Sequence, residues 1–202
     1  MTAIAPDVSM WDAWRPSEVA ALLARVELPW CVAAGWAIDL FVGHERREHS
    51  DLEIAVPHVR FGELVPALEG FEIFVITAPG EATPLAAARD RLADTHQTWI
   101  REAATGHWRL DVFREPSDRD TWICRRDPSI RMAYDELIER TDDGIPYARP
   151  EVVLLFKAKH ADEPKNDADL EAALPRLDRS RRRWLSSALE RVHPGHRWLS
   201  KL

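Results

Sequence analysis

The stretch CVAAGWAIDLFVGHERREHSDLEIAV, residues 31–56, decides how the rest of the chain is read. Its first apolar residues, with Trp30, read as a short buried strand. Gly35 breaks that pattern, residues 36–42 read as a helix stopped by Gly43, and residues 51–56 alternate polar with apolar as a half-buried strand does. On such a strand Asp51 and Glu53 project from one face, Leu52 and Ile54 from the other. Two carboxylates so spaced suit a hard divalent cation, although an acid-x-acid pair on its own more often marks a solvated strand face. Ala34, Gly35 and Trp36 add a strand-to-helix turn whose backbone N–H groups and helix dipole suit an anion such as a triphosphate.

Working outward, Val19, Leu22, Leu23 and Val26 repeat at helical spacing ahead of Pro29. After the acidic pair come a predicted helix over 59–68 and a strand over 71–77. Three tryptophan-bearing strands follow, over 98–102, 107–114 and 121–125, separated by turn residues. Pro150 opens an apolar helix through Phe156, and further helices are predicted over 167–177 and 180–192. The sum is an α/β (α+β) chain, with a mixed β-sheet flanked by helices over 1–146 and a small helical C-terminal subdomain over 147–202.

Composition narrows the function classes. Of 202 residues 46% are hydrophobic and 30% charged, which is ordinary for a globular protein, and no apolar run approaches the roughly 20 residues a membrane-spanning helix needs. Thirty-four acids against 27 bases give a net charge of −7. Residues 176–202 carry eight Arg and Lys against two acids, so the body is strongly acidic and the tail basic. An acidic body argues against general nucleic-acid binding and suits a cationic small substrate. The basic run at 179–183, backed by Trp184, Leu185, Ala188, Leu189 and Val192, reads as a solvated face of an amphipathic helix. Residues 1–10 lack a basic region and a long apolar run, so no secretory signal is read and a cytoplasmic location is expected. Cys31 and Cys124 stand 93 residues apart without metal-ligand spacing and read as reduced, buried thiols.

Residues 31–56 resemble the first motif of the polymerase-β-type nucleotidyltransferases, and in detail the aminoglycoside 2''-adenylyltransferase and lincosamide nucleotidyltransferase group. That group carries Gly-Gly-Trp, an Asp three residues after the Trp, Arg-x-His, and Asp-x-Asp or Asp-x-Glu. Here Gly35 and Trp36 fill the turn, Asp39 is the helix acid, Arg47 and His49 form the Arg-x-His, and Asp51 and Glu53 form the acidic pair. Ala34 stands where the group has its first glycine, and if that position takes φ > 0 its Cβ adds strain. The resemblance continues through Gly144 to Tyr147 and Pro150 to Lys159.

The resemblance implies a nucleotidyltransferase fold and a third carboxylate on a later strand. Asp111 is the candidate, against the plainer reading of an acid paired to Arg109 or Arg114. It further implies two Mg²⁺ ions held by Asp51, Glu53 and Asp111, and a nucleotide site of Ala34, Gly35, Trp36, Arg47, His49 and Lys157. The implied reaction moves a nucleoside monophosphate, AMP, from ATP or another NTP to a hydroxyl of a small acceptor, an aminoglycoside- or lincosamide-like antibiotic. Neither nucleic acid nor membrane is an expected partner, and the oligomeric state is not legible. Two alternatives stay open: a toxin-like nucleotidyltransferase that docks tRNA or protein through the basic tail, and a nucleotide-binding module without turnover, for which Ala34 is the one hint.

Overall fold

The computed structural model describes residues 2–202. In chain order the strands are β1 (Cys31–Val32), β2 (Glu53–Pro57), β3 (Phe71–Ala78), β4 (Glu81–Pro84), β5 (Gln97–Glu102), β6 (Trp108–Glu115), β7 (Ser117–Asp118), β8 (Thr121–Ile123), β9 (Arg131–Ala133), β10 (Ile138–Arg140) and β11 (Pro146–Ala148). The α-helices are α1 (Pro16–Leu22), α2 (Ala34–Val42), α3 (Tyr134–Leu137), α4 (Pro150–Lys157), α5 (Pro164–Ala173) and α6 (Arg179–Val192). Two compact units interleave in sequence: one runs to Cys31 and resumes from His49 to Ser117, and the other comprises Val32–Glu48 and Asp118–Leu202. Residue 146 lies within the second unit.

The first unit is a mixed sheet in the order β2-β6-β5-β3-β4, with β2 parallel to β6 and the other neighbours antiparallel. Period-2 alternation sorts its side chains. Leu52, Ile54, Val56, Leu110, Val112, Thr98, Ile100 and Val75 share one face and are fully buried. The predicted helix over 59–68 is instead two 3-10 helices, His58–Glu63 and Val65–Leu68, because Gly62 weakens an α-helix and Pro66 has no N–H for its ladder. Their Phe61, Leu64 and Leu68 are buried, and the His58–Glu63 turn packs on β2 and β6. Unforeseen in the sequence, β4 returns against β3 as a hairpin through Pro79 and Gly80. Ile4 and Trp11 add single bridges to Ala82 and Trp108, in a cluster with Phe74 and Trp99.

In the second unit Val32 of β1 runs parallel to Tyr147 of β11, whose other edge pairs antiparallel with β10. Helix α2 starts two residues earlier than the sequence predicts and stops where Gly43 takes φ 85°, its N–H bonded to the carbonyls of Asp39 and Leu40. It packs on α4 and α5, and α4 packs on α6. Pro164 opens α5 ahead of the predicted start, and after Ala173 the chain passes into a 3-10 turn over Leu174–Arg176 that holds Pro175. Asp178 caps α6, accepting a hydrogen bond from the Arg181 N–H at 2.9 Å.

An ion network ties these helices together. Arg46 Nε meets Asp39 Oδ1 at 2.6 Å, Arg46 Nη2 donates to Asp169 Oδ1 at 2.6 Å, and Lys157 Nζ meets Asp169 Oδ2 at 2.7 Å. Lys157 also donates to Asn166 Oδ1 at 3.1 Å, and the Asn166 amide donates to the His160 carbonyl. Asp39, Asn166 and Asp169 are buried. Asp169→Ala would leave two largely desolvated cations without their shared anion, a loss of about 3–5 kcal/mol. We expect chemical denaturation to show a loss of that order, whereas exposed Glu171→Ala should stay within about 0.5 kcal/mol.

Candidate functional site

The acidic residues come together through strand register. Glu53 on β2 lies directly opposite Asp111 on β6 in the parallel ladder, and the Asp111 N–H donates to the Leu52 carbonyl at 2.9 Å. Partner residues in a ladder point to the same face, so both carboxylates stand on the face opposite the apolar core. The strand begins at Glu53 rather than Asp51, which precedes it and accepts from the Ser50 hydroxyl at 3.3 Å. Asp51 is still near enough for its charge to act on Asp111.

Asp111 is 4% exposed. Its Oδ2 accepts a 2.6 Å hydrogen bond from Gln97 Nε2, while its buried Oδ1 has no hydrogen-bond partner. Burial pushes its carboxyl up to about 7; Gln97 and the Trp99 indole oppose this, the Asp51 charge adds to it, and Arg114 works against it. Trp99 is the cross-strand neighbour of Asp111 on β5. The sequence reading missed Gln97 and Trp99. Their signal is the Gln-x-Trp alternation at the head of a strand that begins one residue before the predicted start.

Arg114 sits on the apolar side of β6 and is not the partner of Asp111. Its guanidinium donates to Thr98 Oγ1 and Thr95 Oγ1 and to the carbonyls of Leu92 and Gln97, and lies 5.6 Å from the Phe61 ring. Arg109 likewise pairs with Glu102 and Asp12. Among the described residues no group of three or more His, Cys, Asp or Glu is gathered closely enough to hold a metal ion. Both cysteines are free and buried, and burial pushes the Cys31 thiol up to about 12, leaving no thiolate at neutral pH.

The other sequence-selected residues, except His49, belong to the second unit. Ala34, Gly35 and Trp36 open α2, whose N-cap Ala33 contributes no side-chain hydrogen bond to the first-turn N–H groups. Ala34 has φ 47°, in the left-handed region. Arg47 donates from Nη1 to the Glu48 carbonyl and keeps Nη2 3.9 Å from Asp169. Lys157 is held by Asp169 and Asn166, and Asp39 by Arg46. His49, in the first unit, is half-buried. A cavity of about 490 Å³ opens beside α2, lined by Trp36, Phe41 and Tyr147, by the acids Glu45, Asp142 and Asp143, and by Arg140 and His44.

Two outcomes are expected. A non-glycine residue at positive φ costs about 1–2 kcal/mol, against about 0.4–1 kcal/mol of chain entropy that glycine forfeits. Ala34→Gly should therefore raise the thermal midpoint, by about 2–4 °C for each kcal/mol recovered; a lower midpoint would show that the Ala34 methyl packs productively. For Asp111 the folded carboxyl keeps a proton at pH values where the unfolded chain, near 3.8, has lost it. Stability should thus fall as pH rises from about 4 to 7, by up to about 1.4 kcal/mol per unit. Asp111→Asn removes that penalty, so in chelator its stability gain over the parent should be small at pH 4 and level off above pH 7.

Residues 17–106 match the family of aminoglycoside-2''-adenylyltransferase. No curated protein matches the chain. Among solved structures, the antibiotic-resistance factor ANT(2'')-Ia in solution is 17% identical, covers 91% of each chain and has a TM-score of 0.57. Its crystal structure in complex with adenylyl-2''-tobramycin is 16% identical, covering 87% of this chain and 95% of that one, at a TM-score of 0.57. The lincosamide antibiotic adenylyltransferase LnuA with lincomycin bound is 18% identical, covering 77% of this chain and 92% of that one, at 0.53. In family sequence over residues 17–106, and in fold over nine-tenths of its length, the chain resembles the aminoglycoside and lincosamide nucleotidyltransferases.

Proposed function

We propose that the chain is a nucleotidyltransferase that moves a nucleoside monophosphate, AMP, from a nucleoside triphosphate to a hydroxyl of a small acceptor, acting in the cytoplasm where triphosphates are at hand. The observation that carries the reading is the register that sets Glu53 against Asp111 on one face of the sheet, with Glu53 inside the segment, residues 17–106, that matches an adenylyltransferase family. The donor chemistry fits a hard divalent cation: three carboxylates, one of them with a buried oxygen that no hydrogen bond satisfies. The three are not drawn into a closed cluster, as sites that bind Mg²⁺ jointly with substrate phosphates need not be. Asp51, Glu53 and Asp111 would hold Mg²⁺, two ions in the full site, which when bound neutralise charge developing on the triphosphate.

The chain's own groups do the remaining work. The uncapped first turn of α2, at Ala34, Gly35 and Trp36, receives phosphate oxygens on its N–H groups. Arg47 and His49 steady the nucleotide. Lys157, ion-paired to Asp169 and donating to Asn166, adds positive charge for a phosphate. Asp111, beside both the cation and the acceptor hydroxyl, would receive the acceptor's proton. The acceptor is a cationic, ring-bearing antibiotic of aminoglycoside or lincosamide kind. The acidic composition supports this, as does the cavity of Trp36, Phe41 and Tyr147, where Glu45, Asp142 and Asp143 outnumber Arg140.

Pyrophosphate release from ATP with a panel of such antibiotics, and with bulk tRNA as the contrasting acceptor, tests the reading. Asp51→Asn and Glu53→Gln should each lower turnover at least 100-fold while leaving the circular dichroism unchanged, a loss of about 3 kcal/mol or more of transition-state stabilisation. Near-parental turnover in either variant would overturn the assignment of the acids. Turnover with tRNA alone would overturn the acceptor class.

A further inference from the structure

One side chain on the acid face is neither a cation ligand nor a proton acceptor. Gln97 stands on β5 in register with Phe113, two residues along β6 from Asp111 on the same face. Its Nε2 donates to Asp111 Oδ2 at 2.6 Å. The amide end is the only part of this side chain able to donate to an ionised carboxylate. Gln97 is itself fixed: its backbone carbonyl accepts from Arg114 Nη2 at 3.2 Å, and Arg114 is anchored to Thr98, Thr95 and Leu92. The two oxygens of Asp111 are thereby made unequal, Oδ2 hydrogen-bonded and Oδ1 not.

We propose that Gln97 is the positioning residue of Asp111, turning the carboxylate so that Oδ1 is the oxygen left to hold a divalent cation on the acid face. The proposal rests on the reading of Asp51, Glu53 and Asp111 as cation ligands. Partners that orient a ligand in this way are typically worth about 10–100-fold in metal affinity. A carboxylate that loses this 2.6 Å hydrogen bond is freer to rotate about its terminal torsion, which is broad, and spends binding energy to be re-oriented.

Mn²⁺ uses the same oxygen donors as Mg²⁺ and is paramagnetic, so its binding to the whole chain is read by the electron paramagnetic resonance signal of the free ion, without turnover. The panel is the parent, Asp111→Asn, Gln97→Met, which keeps the volume and removes the donor, and Gln97→Ala, which removes both. We expect the parent to bind, Asp111→Asn to bind at least 10-fold more weakly, and both Gln97 variants to lose about 10-fold. The Met variant should lose as much as the Ala variant, with a metal-free thermal midpoint close to the parent's. Parental affinity in Gln97→Met beside weakened binding in Asp111→Asn overturns the role of Gln97 and leaves the acids as ligands. If Gln97→Met does not fold, parental affinity in Gln97→Ala overturns that role in its place. Equal affinity in the parent and Asp111→Asn overturns the ligand reading, and the role of Gln97 with it.

Discussion

The pairing of β2 with β6 is the constraint on which the candidate site depends. A side-chain period of two means that a slip of one residue would carry Glu53 and Asp111 into the apolar layer and push Ile54 and Val112 out of it. The apolar side enforces the register. Leu52, Ile54, Val56, Leu110 and Val112 are all fully buried, and each is worth about 1.5–3 kcal/mol in that state. The acids are thus placed by their neighbours one position along the chain, and their own interactions need contribute nothing to the placement. Asp111 in fact works against the fold, since its burial raises its proton affinity, yet the core beneath it holds it there.

The sheet treats its two buried ionisable groups differently. Arg114 lies on the core side, where its donors meet two hydroxyls and two carbonyls and its guanidinium covers Phe61. Burial lowers its proton affinity to about 10, which leaves it charged at neutral pH. Asp111, on the other face, keeps an oxygen without a hydrogen bond. A satisfied buried charge serves architecture, as Arg114 does by pinning the start of β5. An unsatisfied oxygen is the rarer case, and on a face shared with other acids it is what the proposed ligand role would require.

Alternation and glycine punctuation made the central stretch readable. Strand β2, the Gly43 stop of α2, β3, β6 and the Pro150 start of α4 all follow from local pattern. What was illegible depends on distance in sequence. Nothing near Asp39 says that its partner is Arg46, or that Arg46 reaches Asp169, 123 residues further on. The apolar periodicity over 59–68 predicts a helix, but Gly62 and Pro66 shorten the backbone ladder there to 3-10 turns. Gln97 is illegible for a related reason: a glutamine at the first position of a strand carries no signal until the register sets it beside Asp111.

Ala34 shows how a local rule is overridden. An alanine at φ 47° is disfavoured by its Cβ, and no side chain caps the helix that begins there. Its neighbours leave it no choice: Val32 is locked to Tyr147 in the parallel ladder, and Gly35, Trp36, Ala37 and Ile38 are buried against the helices that follow. The chain must pass from strand to helix within Ala33 and Ala34, and the left-handed turn does so in the space available. Strain of this size persists only where packing on both sides over-determines the backbone. Because the packing pins the turn, the first N–H groups of α2 keep a fixed direction without a cap. A capping side chain would occupy those same donors, and none does, as the proposed phosphate-binding role of this turn requires.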